Sequence, residues 1–292
     1  MSSYYESSAR ERVRGLLDAG GFREFLPPSA RVVSPHLKQL DTPAAFDDGV
    51  VVGEGLLDGR KVLIAAQEGG FMGGAVGEAH GAKLTGLLER AAQEKPAAVL
   101  LLVESGGVRL HEANAGLIAV SEIMRAVLQA RAAGVPVIVL DGGQFGCFGG
   151  MGIVARLCDA VVISEEGRLG LSGPEVIETT CGVEEFDSRD RALVWRTVGG
   201  KHRYLLGDAA ALVPDDMAAF RRAAIDAVAA GATALTFAAL AAEHEHLGDR
   251  LARFGDCADA TDIWAKLGVA DPQRLPLLDT AAFLAATQHL RA

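Results

Sequence analysis

Glu104-Ser105-Gly106-Gly107-Val108-Arg109 follows directly on the apolar run Ala98-Val99-Leu100-Leu101-Leu102-Val103. Gly146-Cys147-Phe148-Gly149-Gly150-Met151-Gly152 lies just beyond a second such run, Val135-Pro136-Val137-Ile138-Val139-Leu140. Each pair reads as a strand entering a glycine-rich turn that opens a helix. A helix start leaves backbone N–H groups without internal partners, and glycine lets another group approach them closely. Two such turns on neighbouring strands can aim two N–H donors at one oxygen, which is the geometry of an oxyanion hole. The candidate catalytic positions are therefore Gly106, Gly107, Gly149 and Gly150. Alone, either turn reads as a structural strand-to-helix corner; the pair, joined by one helical crossover, favours function.

Outward from these turns, strands alternate with helices. Residues 77–93 show helical spacing through Ala79, Leu84, Leu87 and Leu88. Helices follow over 113–133 and 150–157, with a strand at 160–164. This order predicts an α/β fold with a largely parallel sheet, and the unalternating apolar runs predict a sheet covered on both faces. Upstream, Val50–Gly55 and Lys61–Ala66 flank Leu57-Asp58-Gly59-Arg60, a hairpin with Asp-Gly at its turn. Residues 27–43, with Pro27, Pro28, Pro35 and Pro43, read as an irregular connection, and residues 8–19 as a helix stopped by Gly20-Gly21. Residues 217–243 are alanine-rich and helical, and the tail from about 257 carries weaker helical signals. With no repeat or linker, the expectation is one domain over 1–292, with an N-terminal helix and a helical extension from about 217 to 292.

The chain has 292 residues, half of them hydrophobic, and a net charge of −10. That balance argues against a general nucleic-acid or anionic-membrane surface, both of which need a basic face. The start, Met1-Ser2-Ser3-Tyr4-Tyr5-Glu6, shows no signal-peptide pattern. No apolar run approaches the ~18 residues of a membrane span. Cys147, Cys158, Cys181 and Cys257 have no paired spacing, so neither a disulfide framework nor a metal site is expected. The composition fits a soluble, cytoplasmic protein.

Four stretches in register resemble acyl-CoA carboxyltransferase β-type domains of the crotonase superfamily. They are Asp48-Gly49-Val50 with Gly73–Lys83, Ser105–Leu110 followed by Glu112, Cys147–Gly150, and Gly173-Pro174-Glu175-Val176-Ile177. The resemblance covers roughly residues 8–215. Within the family the run Glu104–Asn114, the small size and the lack of a zinc ribbon are most similar to malonate decarboxylase β subunits. The resemblance implies a repeated ββα spiral and an active site completed by a γ subunit. It also implies a malonyl thioester carried on the phosphopantetheine-type arm of an acyl carrier protein, with coenzyme A as a related ligand and no cofactor bound by this chain. Candidate substrate-binding residues are Phe71, Gly73, Gly74, Val108, Arg109, Phe148, Met151 and Glu175.

The same resemblance weighs the chemistry. Crotonase-type hydratases use two glutamates; one of those positions is Ile153 here, and the other resembles Glu175. Isoleucine cannot serve as acid or base, so water addition is not expected. Decarboxylation needs less: a carboxylate held perpendicular to the thioester plane and a stabilised enolate oxygen. Ser105 and Cys147 are potential nucleophiles, but no spacing assembles His80, His111 or His202 with either, and Ser105 reads as the cap of the following helix. Arg189, Arg191, Arg196, Lys201, His202 and Arg203 form the most basic stretch, a solvated helix face or a dock for an acidic carrier. The main alternative is the β half of a biotin-dependent carboxyltransferase; a non-catalytic scaffold is the other.

Overall fold

A computed structural model describes residues 2–287 and 289–291. The strands are β1 (Arg23–Glu24), β2 (Val50–Leu57), β3 (Arg60–Gln67), β4 (Ala98–Val103), β5 (Val137–Asp141), β6 (Ala160–Ser164) and β7 (Ala211–Val213). They form one sheet in sequence order, antiparallel through β1–β2–β3 and parallel from β3 to β7. The expected hairpin is β2–β3, with Leu57 opposite Arg60 around Asp58-Gly59.

Burial on both faces explains the apolar strands. Val99, Leu101 and Val103 of β4 point into a core shared with α2 (Glu78–Glu94), α3 (Asn114–Ala132) and α4 (Gly150–Leu157). Ala98, Leu100 and Leu102 point the other way, onto α1 (Ala9–Leu16) and α8 (Met217–Ala230), where Tyr4, Val13, Leu16 and Phe220 meet them. Successive strand residues face opposite sides, so every position of β4 is consumed by packing.

Past the ends of the parallel strands runs a second, shorter ladder. Ser105 bridges Cys147 and Cys147 bridges Leu169, both parallel, while Val76 bridges Val108. Each repeat is thus a long strand, a short bridge and a helix, the spiral that the family resemblance implies.

Several local expectations change. The turn at Gly106-Gly107 does not open a helix: a 3₁₀ turn at Leu110–Glu112 intervenes, and α3 begins behind Ala113. The helical stretch 217–243 is broken at Gly231 (φ 79°). Its second part becomes α9 (Phe237–Phe254), capped by the Thr236 hydroxyl, which accepts the Ala239 N–H. Between β6 and β7 lie α5 (Pro174–Cys181), α6 (Arg191–Val198) and α7 (Gly200–Leu205), and the tail holds α10 (Ala260–Lys266) and α11 (Thr280–Thr287). Among the described residues no helix is long and apolar enough to cross a membrane.

Candidate active site

The two glycine turns are stitched together. Ser105 N–H donates to the Gly146 carbonyl at 2.7 Å, and Phe148 N–H donates to the Ser105 carbonyl at 2.8 Å. Gly107 (φ 132°) and Gly149 (φ 59°) hold conformations that L side chains rarely adopt, and a Cβ on Gly149 would stand 2.9 Å from Gly107 Cα. Only glycine permits that approach.

The four candidate donors separate into two kinds. Gly106 N–H is committed to the Gly73 carbonyl and Gly149 N–H to the Leu171 carbonyl, each at 2.8 Å. Gly107 N–H has only a long bond, 3.3 Å, to Ser105 Oγ. Gly150 is the first residue of α4, and its N–H meets no acceptor among the described residues. The available pair is therefore Gly107 and Gly150, one from each turn, with the helix N-terminus adding positive partial charge behind Gly150.

Ser105 does not cap α3. Its hydroxyl reaches the Gly107 N–H and carbonyl, both at 3.3 Å, and so braces the turn itself. Cys147 is fully buried, and burial pushes its thiol well above the usual value. Neither side chain is hydrogen-bonded to a histidine among the described residues. His80 bonds Gln67 and Asp48, with burial pushing its pKa down to about 3, and His202 faces the Trp264 indole.

The structure places the candidate substrate-binding residues differently from one another. Phe71 packs on Gly49, and Gly73 and Gly74 sit at positive φ with Gly74 pressed on the Glu104 backbone. Val108 is half-buried beside Gly107. Phe148 is buried with Phe186, Val194 and Val198, and Met151 lies in the main core. Glu175 is exposed in the first turn of α5. Arg109 is 1% exposed and turned inward, its guanidinium on the Asp48 carboxylate (3.0 and 3.1 Å) and on Glu112 (2.7 Å). Burial raises the Asp48 pKa despite that partner. Burial also acts to raise Glu112, but hydrogen bonds from the Glu78 N–H and Arg109 outweigh it and its pKa falls.

The basic stretch is largely spent internally. Arg196 pairs with Asp259, Lys201 with Glu165, and Arg203 with Asp208, while Arg191 lies over the Trp195 ring. Beside α4 a hollow of about 310 Å³ is lined by Ile153, Arg156, Leu169 and Leu171. Segments flanking the turns expose Leu110 (86%), Leu117, Ile118 and Leu171, an apolar surface with no cover within the described residues. Sequence reasoning missed the buried role of Glu104, whose carboxylate receives Arg12, Gly69 and Phe145; its only signal was a charged residue at a strand end.

The ββα spiral with paired backbone donors defines a class, the crotonase-like fold, and comparison with known proteins narrows it. Residues 6–223 match the family model of the carboxyl transferase domain. The chain is 39% identical to the malonyl-S-ACP:biotin-protein carboxyltransferase of Malonomonas rubra, over 99% of this chain and 97% of that one. A chain in the crystal structure of a Pseudomonas malonate decarboxylase hetero-tetramer in complex with malonate superposes with a TM-score of 0.82 at 43% identity, covering 91% of this chain and 97% of that chain. One in a Pseudomonas malonate decarboxylase hetero-dimer gives 0.68 at 40% identity, covering 87% and 97%. The chain belongs to the carboxyl transferase domain family, as a homologue of malonate decarboxylase carboxyltransferase subunits.

Proposed function

We propose that this chain is the β subunit of a biotin-independent malonate decarboxylase, acting with a γ subunit on malonyl thioester carried by the phosphopantetheine-type arm of an acyl carrier protein. The observation that carries the reading is the meeting of Gly107 and Gly149, with the Gly107 N–H held only by a long bond to Ser105 Oγ and the Gly150 N–H without an acceptor among the described residues. The thioester carbonyl oxygen sits between those donors. The bond between Cα and the carboxylate breaks, CO₂ leaves, and the electron pair passes through Cα to that oxygen. The two N–H groups stabilise the enolate, and a proton added at Cα completes the acetyl thioester. Removing one such donor typically costs ~10²–10³ in rate, so a backbone pair can supply most of the acceleration.

A partner subunit is supported by the exposed leucines and isoleucine around the turns, and by the hetero-dimeric and hetero-tetrameric assemblies of the structural relatives. The four free cysteines fit a reducing cytoplasm. No cofactor is assigned to this chain. The deciding experiment is co-purification with the partner subunit, then measurement of CO₂ release from malonyl thioester with and without a biotinylated protein. Biotin-independent release supports the reading; release only with a biotinylated acceptor overturns it.

A second reading has one specific observation in its favour, the name of the Malonomonas rubra relative, which passes the carboxyl group to a biotin protein. In that case the same hole stabilises the same enolate, and the acceptor of CO₂ differs. A non-catalytic scaffold leaves two backbone donors aimed together without a purpose.

A further inference from the structure

The geometry points to Glu104 as the positioning residue that sets the two oxyanion turns against each other, with Arg12 of the N-terminal helix holding it in place. The inference rests on the function proposed above and assigns a role to a side chain that touches no substrate.

Glu104 is the last residue before the first turn, and Phe145 the last before Gly146 opens the second. The Glu104 Oε1 atom accepts the Phe145 N–H at 3.3 Å. One residue further on, Ser105 N–H donates to the Gly146 carbonyl. The carboxylate therefore ties the two turns together one step upstream of their backbone stitch. Oε2 accepts from Arg12 Nη1 at 2.5 Å and, at 3.4 Å, from the Gly69 N–H of the loop after β3. The Glu104 N–H donates to Gln67 Oε1 at 3.1 Å.

The surrounding loops are shaped to this group. A Cβ on Gly69 would lie 2.5 Å from the Glu104 carboxyl carbon and one on Gly143 2.7 Å, so both loops close on it only because they carry glycine. Arg12 is itself fixed, donating to the Tyr4 and Tyr5 carbonyls at 2.9 and 3.2 Å. Arg12 and Glu104 are 1% and 5% exposed at their side chains. A buried pair of this kind is weak support for stability, since apolar residues of similar volume often replace it without loss. What an apolar residue cannot replace is the acceptor for the Phe145 N–H. Oxyanion donors act only when placed within tenths of an ångström, and a ~1 Å misplacement costs ~10²-fold in rate.

Two double variants, assembled with the partner subunit, separate positioning from stability. Arg12→Met/Glu104→Gln removes both charges and keeps an acceptor oxygen for Phe145. Arg12→Met/Glu104→Leu removes both charges and the acceptor; Arg12→Met/Glu104→Met serves the same comparison where the leucine variant does not assemble. The expected result is near wild-type kcat for the glutamine double and a ~10²-fold fall for the apolar double, with KM for malonyl thioester little changed in either. Amide hydrogen exchange over residues 141–150 is measured in the same complexes, and should be faster in the apolar double. Equality of the two doubles in either readout overturns the inference. Absence of CO₂ release from the wild-type complex overturns the proposed function instead, and the exchange comparison then tests the role of Glu104 by itself.

Discussion

Gly107 and Gly149 meet backbone to backbone: a single carbon added to Gly149 would stand 2.9 Å from Gly107 Cα. The two turns are also joined through the Ser105, Gly146 and Phe148 main chain and, one step upstream, through the Glu104 carboxylate, which accepts the Phe145 N–H. The relative placement of Gly107 and Gly150 is thus set by main-chain contacts together with that one side-chain tie.

Gly149→Ala should wedge these turns apart and also force a side chain onto φ 59°. The expected outcome is a fall in turnover of ~10²-fold or more in an assembled enzyme. Gly150→Pro tests the donor itself. Proline is tolerated at the first position of a helix, but a Cβ there would stand 2.5 Å from Val120 Cγ1, so the start of α4 must shift as the N–H is lost, and the cost should be at least ~10²–10³ in kcat. Steady-state kinetics on folded variants checks both.

Ser105→Ala should reduce turnover only modestly, because it removes a 3.3 Å brace on Gly107 and no nucleophile. Cys147 should resist thiol reagents in the native state at neutral pH, since burial keeps it protonated. Mass spectrometry after incubation with malonyl thioester should find no acyl adduct on either residue.

Arg109→Met should strand Asp48 and Glu112 as a buried acidic pair. Breaking such a cluster typically costs ~3–5 kcal/mol. Chemical denaturation should show a clearly lower midpoint, with Asp48→Asn/Arg109→Met recovering part of the loss.

Asp141, at the end of β5, is fully buried, and neither of its carboxylate oxygens has a hydrogen-bond partner among the described residues. Burial pushes its pKa up to about 8. Below an unfolded value of ~4 both states hold the proton and nothing is lost. Between there and about 8 the folded chain keeps a proton that the unfolded chain releases, so stability falls as pH rises. The slope for one proton is ~1.4 kcal/mol per pH unit. Asp141→Asn should flatten this part of the profile, measured by denaturation between pH ~5 and ~8.

The isolated chain should be nearly inactive if its site is completed by a partner. Leu117→Glu/Ile118→Glu places charge on apolar residues that are 58% and 62% exposed, and should leave folding intact while weakening assembly. Analytical ultracentrifugation with the partner subunit checks the association; unaltered assembly would place the interface elsewhere.

The sequence by itself determined the strands β2 to β6, the helices α2, α3 and α4 and the two glycine turns, but not the short edge strands β1 and β7. Apolar runs such as Ala98–Val103, helical spacing such as Leu84–Leu87–Leu88, and glycine at a corner are local signals, and the chain obeys them within a residue or two. Tertiary structure decided which groups face the reaction. Gly106 and Gly149 lose their N–H groups to Gly73 and Leu171, carbonyls on other loops, and this leaves Gly107 and Gly150. Arg109 turns inward because Asp48 waits 61 residues away, and Glu104 becomes a tie because Arg12 lies 92 residues upstream. Periodicity carries no record of such partners. A buried polar group must find a counterpart wherever the fold brings one, and only the assembled sheet brings these together.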